Sequence, residues 1–241
     1  MKINQLVEIS NVKRANLAIG ELLDREKTES VGMGLFYGRP GLGKSRWAIQ
    51  TAMKNGYYYM RLEEAHTYKS FLKDLLIRLK YPHALAEDII GTEKCLYDEI
   101  LSYLQDYENV VIIIDEIDYA FQKRRIIGTI RDFADLSFAT FVLVGMEHSK
   151  SKLARLNAHY FDRCNAFCEF RALDKKDTAL VFENVCNVKC CQGTIDFVTE
   201  QSRGTMRLIN KYISFLEKLS VKLKKTEFEF KEIKELMPLL G

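Results

Sequence analysis

No uninterrupted apolar run in this chain approaches the roughly 20 residues that a membrane-spanning helix requires. The first residues, Met1-Lys2-Ile3-Asn4-Gln5, lack the apolar block of a signal peptide. A cytoplasmic protein without membrane contact is therefore expected. Proline is scarce, with three at positions 40, 82 and 238, and there is no low-complexity tract or internal repeat, which argues against long linkers and solenoids. The six cysteines (95, 164, 168, 186, 190 and 191) lack the spacing of a disulfide framework and contain no C-x-x-C pair to mark zinc. A strong charge of one sign is missing too. The net charge of +3 permits a polyanionic partner without demanding one.

What is present is a chain of 241 residues, 47% hydrophobic and 29% charged. That is enough to bury a core as one globular domain, or one with a small companion lobe. Its most informative segment is Gly38-Arg39-Pro40-Gly41-Leu42-Gly43-Lys44-Ser45, followed by Arg46, between an apolar strand-like run and a helical pattern. This is G-x-x-x-x-G-K-[ST] in the context of a nucleotide phosphate loop. Wrapping a polyphosphate requires successive backbone N–H groups to point inward, which the glycines permit. Lys44 is placed to neutralise the β and γ phosphates and Ser45 to hold Mg²⁺. The following helix points its positive end at the same anion. ATP or GTP with magnesium is the expected ligand.

Apolar strand candidates alternate with helical patterns, as in a parallel α/β sheet. Strands are expected near Val31 to Tyr37, Tyr57 to Leu62, Val110 to Ile114, Thr140 to Val144 and Ala166 to Phe170. Helices are expected at Val12 to Lys27, Ser45 to Asn55, Tyr68 to Leu79, Glu93 to Gln105, Tyr119 to Ala134 and Lys150 to Leu156. Past Leu173 the strands stop, and helical stretches follow at 175–186, 194–201, 205–222 and 230–240. The expected architecture is a five-stranded parallel sheet forming a phosphate-loop core (residues 1–173) and a small all-helical C-terminal lid (174–241).

Asn109 to Glu116 reads as a buried strand ending in two acids, at the sheet edge where ligands meet side chains. Asp115 would hold magnesium beside Ser45, and Glu116 would orient or deprotonate an attacking water. This pair points to hydrolysis in addition to binding.

These motifs, with Phe141 to Gly145 and Gly204 to Asn210, resemble the AAA+ ATPase superfamily, and within it the transposition-helper ATPases typified by the B protein of phage Mu. The resemblance covers roughly Val31 to Leu219. It implies an ATP-controlled homo-oligomer, a filament or ring, that captures double-stranded DNA without sequence specificity and stimulates a transposase. Position by position, it puts the sensor 1 strand at Phe141 to Gly145. Met146 stands where relatives carry a short polar residue, so either Glu147 or His148 substitutes or turnover is slow. It assigns Arg163 to the arginine inserted into a neighbouring subunit's nucleotide, with Arg155 as the rival, and Arg207 to the sensor 2 arginine.

Two places are expected to face DNA: Thr67, Tyr68 and Lys69 in the loop after the second strand, and Lys123-Arg124-Arg125 past the acidic pair. Such contacts to the phosphate backbone would be sequence-tolerant and salt-sensitive. The run Lys222-Leu223-Lys224-Lys225 is a weaker third place. About 30 residues precede the first strand, so DNA contact is expected from the ATPase body or from a partner and not from a separate N-terminal module. Three other readings stay open: a nucleotide switch acting on proteins, a helicase or replication loader, and a small-molecule phosphate-loop kinase.

Overall fold

The computed structural model describes residues 6–27, 30–81, 83, 85, 87–156, 158–228 and 230–236. They fall into two compact units. One comprises Ala15–Gly38 and Lys44–Glu169, the other the described residues of Met1–Arg14, Arg39–Gly43 and Phe170–Gly241.

Along the chain run α1 (Ser10–Leu23), β1 (Met33–Gly38), α2 (Lys44–Asn55), β2 (Tyr58–Arg61), α3 (Tyr68–Lys80), α4 (Glu93–Asp106) and β3 (Val111–Asp115). A 3-10 turn (Ile117–Tyr119) follows, then α5 (Arg124–Leu136), β4 (Thr140–Gly145), α6 (Ser149–Leu156), α7 (Ala158–Asp162) and β5 (Cys164–Phe170). The strands form one sheet in the order β2-β3-β4-β1-β5, parallel in register. Every residue of β3 and β4 is buried, as continuous β-branched and aromatic runs between two helical layers must be. On one face, Phe36 stacks on Trp47 with ring centroids 4.9 Å apart, and the Trp47 indole N–H donates to Asn16 Oδ1 at 2.9 Å.

A clamp at the opposite edge of the sheet from the strand ends explains where α1 stops. The Arg25 guanidinium donates to Leu22 O and Thr140 Oγ1 through Nη1, to Phe138 O and Ala139 O through Nη2, and to Ser30 O through Nε. The expected helix to Lys27 therefore ends four residues early, because Arg25 folds back to cap Leu22 O in the last turn.

The expected helix over Tyr119 to Ala134 is also broken, at 120–123. Lys123 has a non-helical backbone, and its ammonium reaches across to Glu64 O and His66 O. Two hydrogen bonds to one distant loop outweigh helical continuity at that point.

The second unit contains α8 (Lys175–Val185), β6 (Lys189–Cys190), α9 (Gln192–Ser202), α10 (Met206–Leu223), β7 (Glu227–Phe228) and α11 (Phe230–Leu236). The two-residue strands β6 and β7 pair in parallel, a detail too short to leave a periodic trace. The start of α1 is anchored within this unit: Ser10 N–H and Oγ–H both donate to Asp177 Oδ1, and Asn11 pairs with both backbone groups of Arg171. The expected extension of the last helix to Leu240 lies outside the described residues. Among those described, no helix is long and apolar enough to cross a membrane.

Candidate nucleotide site

The turn between β1 and α2 carries the predicted loop residues 38–46. Gly41 and Gly43 sit at φ +81° and +95°, values that residues with a side chain rarely adopt. Lys44 is 8% exposed, and its ammonium donates to Gly38 O at 2.7 Å, closing the loop on itself. Burial lowers its pKa, while the charges of Asp115, Glu116, Asp118 and Glu147 act against that shift. The charges of four acids thus act on one lysine. Ser45 is exposed and Arg46 half-buried on the first turn of α2, a 12-residue helix that presents its N-terminus there.

The loop tip, Arg39 to Gly43, belongs with the second unit. Gly41 O accepts the Arg207 N–H at 3.0 Å. A Cβ on Gly41 would lie 2.8 Å from Thr205 Cγ2 and 3.3 Å from Arg207 Cβ, so only glycine fits against the start of α10. Arg39 and Pro40 are exposed, Leu42 is buried, and the Arg207 side chain is exposed beside the tip.

Asp115 ends β3 at 2% exposure. Its Oδ1 accepts the Glu116 N–H at 2.9 Å, and its Oδ2 accepts the Tyr59 hydroxyl at 3.0 Å. Burial, reinforced by the Asp115 charge, pushes the Tyr59 phenol well above its ordinary value, so it stays a donor and fixes the carboxylate's orientation. Glu116 adopts the left-handed conformation, φ 57° and ψ 42°, which turns its side chain off the strand line. Its carboxylate lies 3.5 Å from Arg61 Nη2, on the strand where Arg61 pairs in register with Asp115.

The loop after β4 is held by Asp118, to which the sequence alone gives no role. Asp118 Oδ2 accepts the Met146 N–H and the Ser149 hydroxyl, each at 2.7 Å, and Oδ1 accepts Lys152 Nζ at 2.9 Å. Burial pushes the Asp118 carboxyl up, but these donors overcome it and hold it below the usual range. The approach is close: a Cβ on Gly145 would come within 2.3 Å of Ser149 Oγ and 2.9 Å of Asp118 Oδ2. Met146 is bound through its backbone alone. Glu147 follows as one of the acids acting on Lys44, whereas His148 is 74% exposed.

The donor set fits a triphosphate with a hard divalent cation. Ser45 supplies a hydroxyl, Asp115 an oriented carboxylate, and the glycine turn backbone N–H groups. Among the described residues, no group of three or more His, Cys, Asp or Glu is placed to hold a metal by itself. A cation here needs phosphate oxygens to complete its shell.

Comparison with known proteins agrees with this geometry. The family model of the AAA domain matches residues 27–153, more than half of the chain. The chain belongs to the AAA family. No curated protein matches it in sequence. Among solved structures, the AAA fold here is similar to Aeropyrum pernix ORC2 in its ADPNP–ADP complexes (12% identity, TM-score 0.72, 97% of this chain and 69% of that one). It is also similar to domain III of the Thermotoga maritima replication initiation protein DnaA (18%, 0.59, 96% and 93%). A third is the Thermotoga maritima RuvB Holliday junction branch migration motor (17%, 0.56, 93% and 67%). At these identities the likeness is one of fold.

The remaining predicted residues of this AAA protein are placed as follows. Arg163 Nε forms an ion pair with Asp135 Oδ1 at 2.7 Å; Arg155 is exposed on α6. Thr67 caps α3, its Oγ1 accepting the Ser70 N–H while Ser70 Oγ accepts the Thr67 N–H. Tyr68 lies under the Arg125 guanidinium, 3.9 Å from ring centroid to Cζ, and accepts from the Thr129 hydroxyl. Arg125 also pairs with Glu93 at 2.6 Å. Of the six residues expected to face DNA, Thr67, Tyr68, Lys123 and Arg125 are thus tied into the protein itself, while Lys69 and Arg124 are exposed.

Proposed function

We propose that this AAA protein is an ATP-dependent, sequence-tolerant DNA-binding ATPase that assembles into a homo-oligomer and serves as a target-selection and transposase-activating helper. The observation that carries the enzymatic half is the setting of Lys44: a buried ammonium at the head of α2, facing the charges of Asp115 and Glu116 at the end of β3. Lys44 would exchange its bond to Gly38 O for phosphate oxygens. Glu116, turned out by its left-handed backbone, would accept a proton from water, with Arg61 holding its carboxylate until substrate is in place. Bound Mg²⁺, held by Ser45 and oriented by Asp115, would supply charge neutralisation at the β and γ oxygens. Arg163 is proposed to act on a neighbouring copy's nucleotide, after leaving Asp135, and Arg207 on the γ-phosphate from its place beside the loop tip.

The DNA half rests on the resemblance over Val31 to Leu219, narrowed by 141–145 and 204–210, and on the printed roles of proteins that share the fold, a replication initiation protein and a branch migration motor. One observation favours a second reading, a nucleotide switch or replication loader acting on protein partners: four of six expected DNA contacts have internal partners.

The test is phosphate release with and without duplex DNA, for the wild type, Glu116→Gln and Arg163→Ala. Each variant should lose turnover, and mixing the two should restore part of it, because a shared site takes its base from one copy and its arginine from the next. No recovery at any ratio despite retained assembly removes Arg163. A wild type that neither binds nor cleaves ATP ends the reading altogether.

A further inference from the structure

We infer that the exposed face of α10 is a docking surface for the phosphate backbone of duplex nucleic acid; this rests on the DNA-binding reading and deepens it. The buried residues of α10, Ile209, Tyr212, Ile213 and Leu216, cover one side of the helix. On the opposite side lie Lys211, Lys218 and Lys222, at spacings of seven and four, with Lys224 at the cap. That spacing keeps the three on one stripe.

Several other lysines among the described residues are paired. Lys80, Lys94, Lys152, Lys175 and Lys225 pair with acids. Lys211, Lys218, Lys222 and Lys224 are exposed, and their ammonium groups have no hydrogen-bond or ion-pair partner among the described residues. Between Met206 and Lys225 there are six basic residues and one acid, Glu217, whereas the whole chain carries +3. This stretch therefore carries a net +5. Glu217 accepts from the backbone and side chain of Asn187 and not from these lysines. Like charges at i and i+4, as at Lys218 and Lys222, destabilise a helix, so the stripe opposes stability until an anion covers it.

The geometry selects the occupant. Lys211 and Lys224 are 13 residues apart, about 20 Å along a helix, a length that spans several phosphates of one strand at roughly 3.4 Å of axis each. The stripe offers no aromatic platform for unstacked bases, since Tyr212 points inward, which disfavours a single strand. The apolar side of α10 is already used in packing, so the helix cannot lie in a lipid interface.

The experiment titrates full-length protein into a labelled duplex of arbitrary sequence across 50–200 mM salt. It compares the wild type, a Lys211→Gln/Lys218→Gln/Lys222→Gln variant, the same three positions changed to Arg, and Lys69→Gln/Arg124→Gln. Loss of three phosphate contacts should reduce the slope of log K against log salt by about 2.7 and weaken binding at least about tenfold at the low end. The Arg variant should restore both, and melting temperatures no lower than that of the wild type should show that folding is intact. If the wild type binds and the triple Gln variant matches it within about twofold in K and in slope, the inference fails while the DNA reading stands. If the wild type binds no duplex, both fail. Displacement by polyglutamate as readily as by duplex would overturn the inference in favour of an acidic protein partner.

Discussion

Replacing Asp118 with alanine should unlock the loop after β4 while leaving the phosphate loop in place. Three donors lose their acceptor: the Met146 N–H, the Ser149 hydroxyl and Lys152 Nζ. Ser149 is fully buried, and the Asp118 side chain is 15% exposed against 49% for Lys152. The two enclosed bonds to a charged group are worth about 1.5–3 kcal/mol each, and the exposed ammonium adds at most about 1 kcal/mol. Removing the desolvation cost of a mostly buried carboxylate offsets part of this, leaving a net loss of about 3 kcal/mol. For a chain of this size that corresponds to a melting temperature lower by roughly 6–12 °C.

Asp118→Asn keeps an acceptor for one donor and should lose about half as much. Because the folded carboxyl lies below its unfolded value, its contribution is complete above the unfolded value of about 3.9 and disappears as pH falls through the folded one. The gap between wild type and Asp118→Asn should therefore be full at neutral pH and narrow only in acid below about pH 4. Thermal melts by circular dichroism at neutral and acid pH measure all of this. A shift under about 1 °C for Asp118→Ala, or Lys152→Ala proving equally damaging, would refute the reasoning.

Arg25→Met removes five hydrogen bonds to three chain segments and should destabilise by about 2–4 kcal/mol in urea unfolding; Arg25→Lys should not rescue it, because one ammonium cannot reach all the fork's acceptors. Gly41→Ala forces a side chain into a left-handed backbone against Thr205 and should weaken binding of a fluorescent ATP analogue by at least about tenfold. Adding Thr205→Gly should recover part of that loss, and strict additivity of the two changes would count against the packing seen here.

The strands and the phosphate loop were legible because their signals are local. Five apolar runs, the glycine spacing and an acid-tipped strand each occupy fewer than about ten consecutive residues, and burial on both faces of a parallel sheet demands such runs. The position of the loop between β1 and α2 followed directly. Helix ends were less legible where a long side chain from one segment bonds another, as Arg25 does at the end of α1 and Lys123 does between the 3-10 turn and α5.

The partners around the site were hidden for the same reason at longer range. Tyr59 meets Asp115 across 56 positions, Asp118 meets Met146 across 28, and Arg207 meets Gly41 across the length of the first unit. Amino-acid order alone determined that this chain builds a parallel α/β core with a phosphate loop, since periodicity and turn chemistry act between near neighbours. Only the tertiary structure decided which carboxylates are locked, which cations are already spent on the protein itself, and which remain exposed on α10. Those outcomes depend on burial and on hydrogen-bond geometry between distant segments, neither of which is written in local sequence.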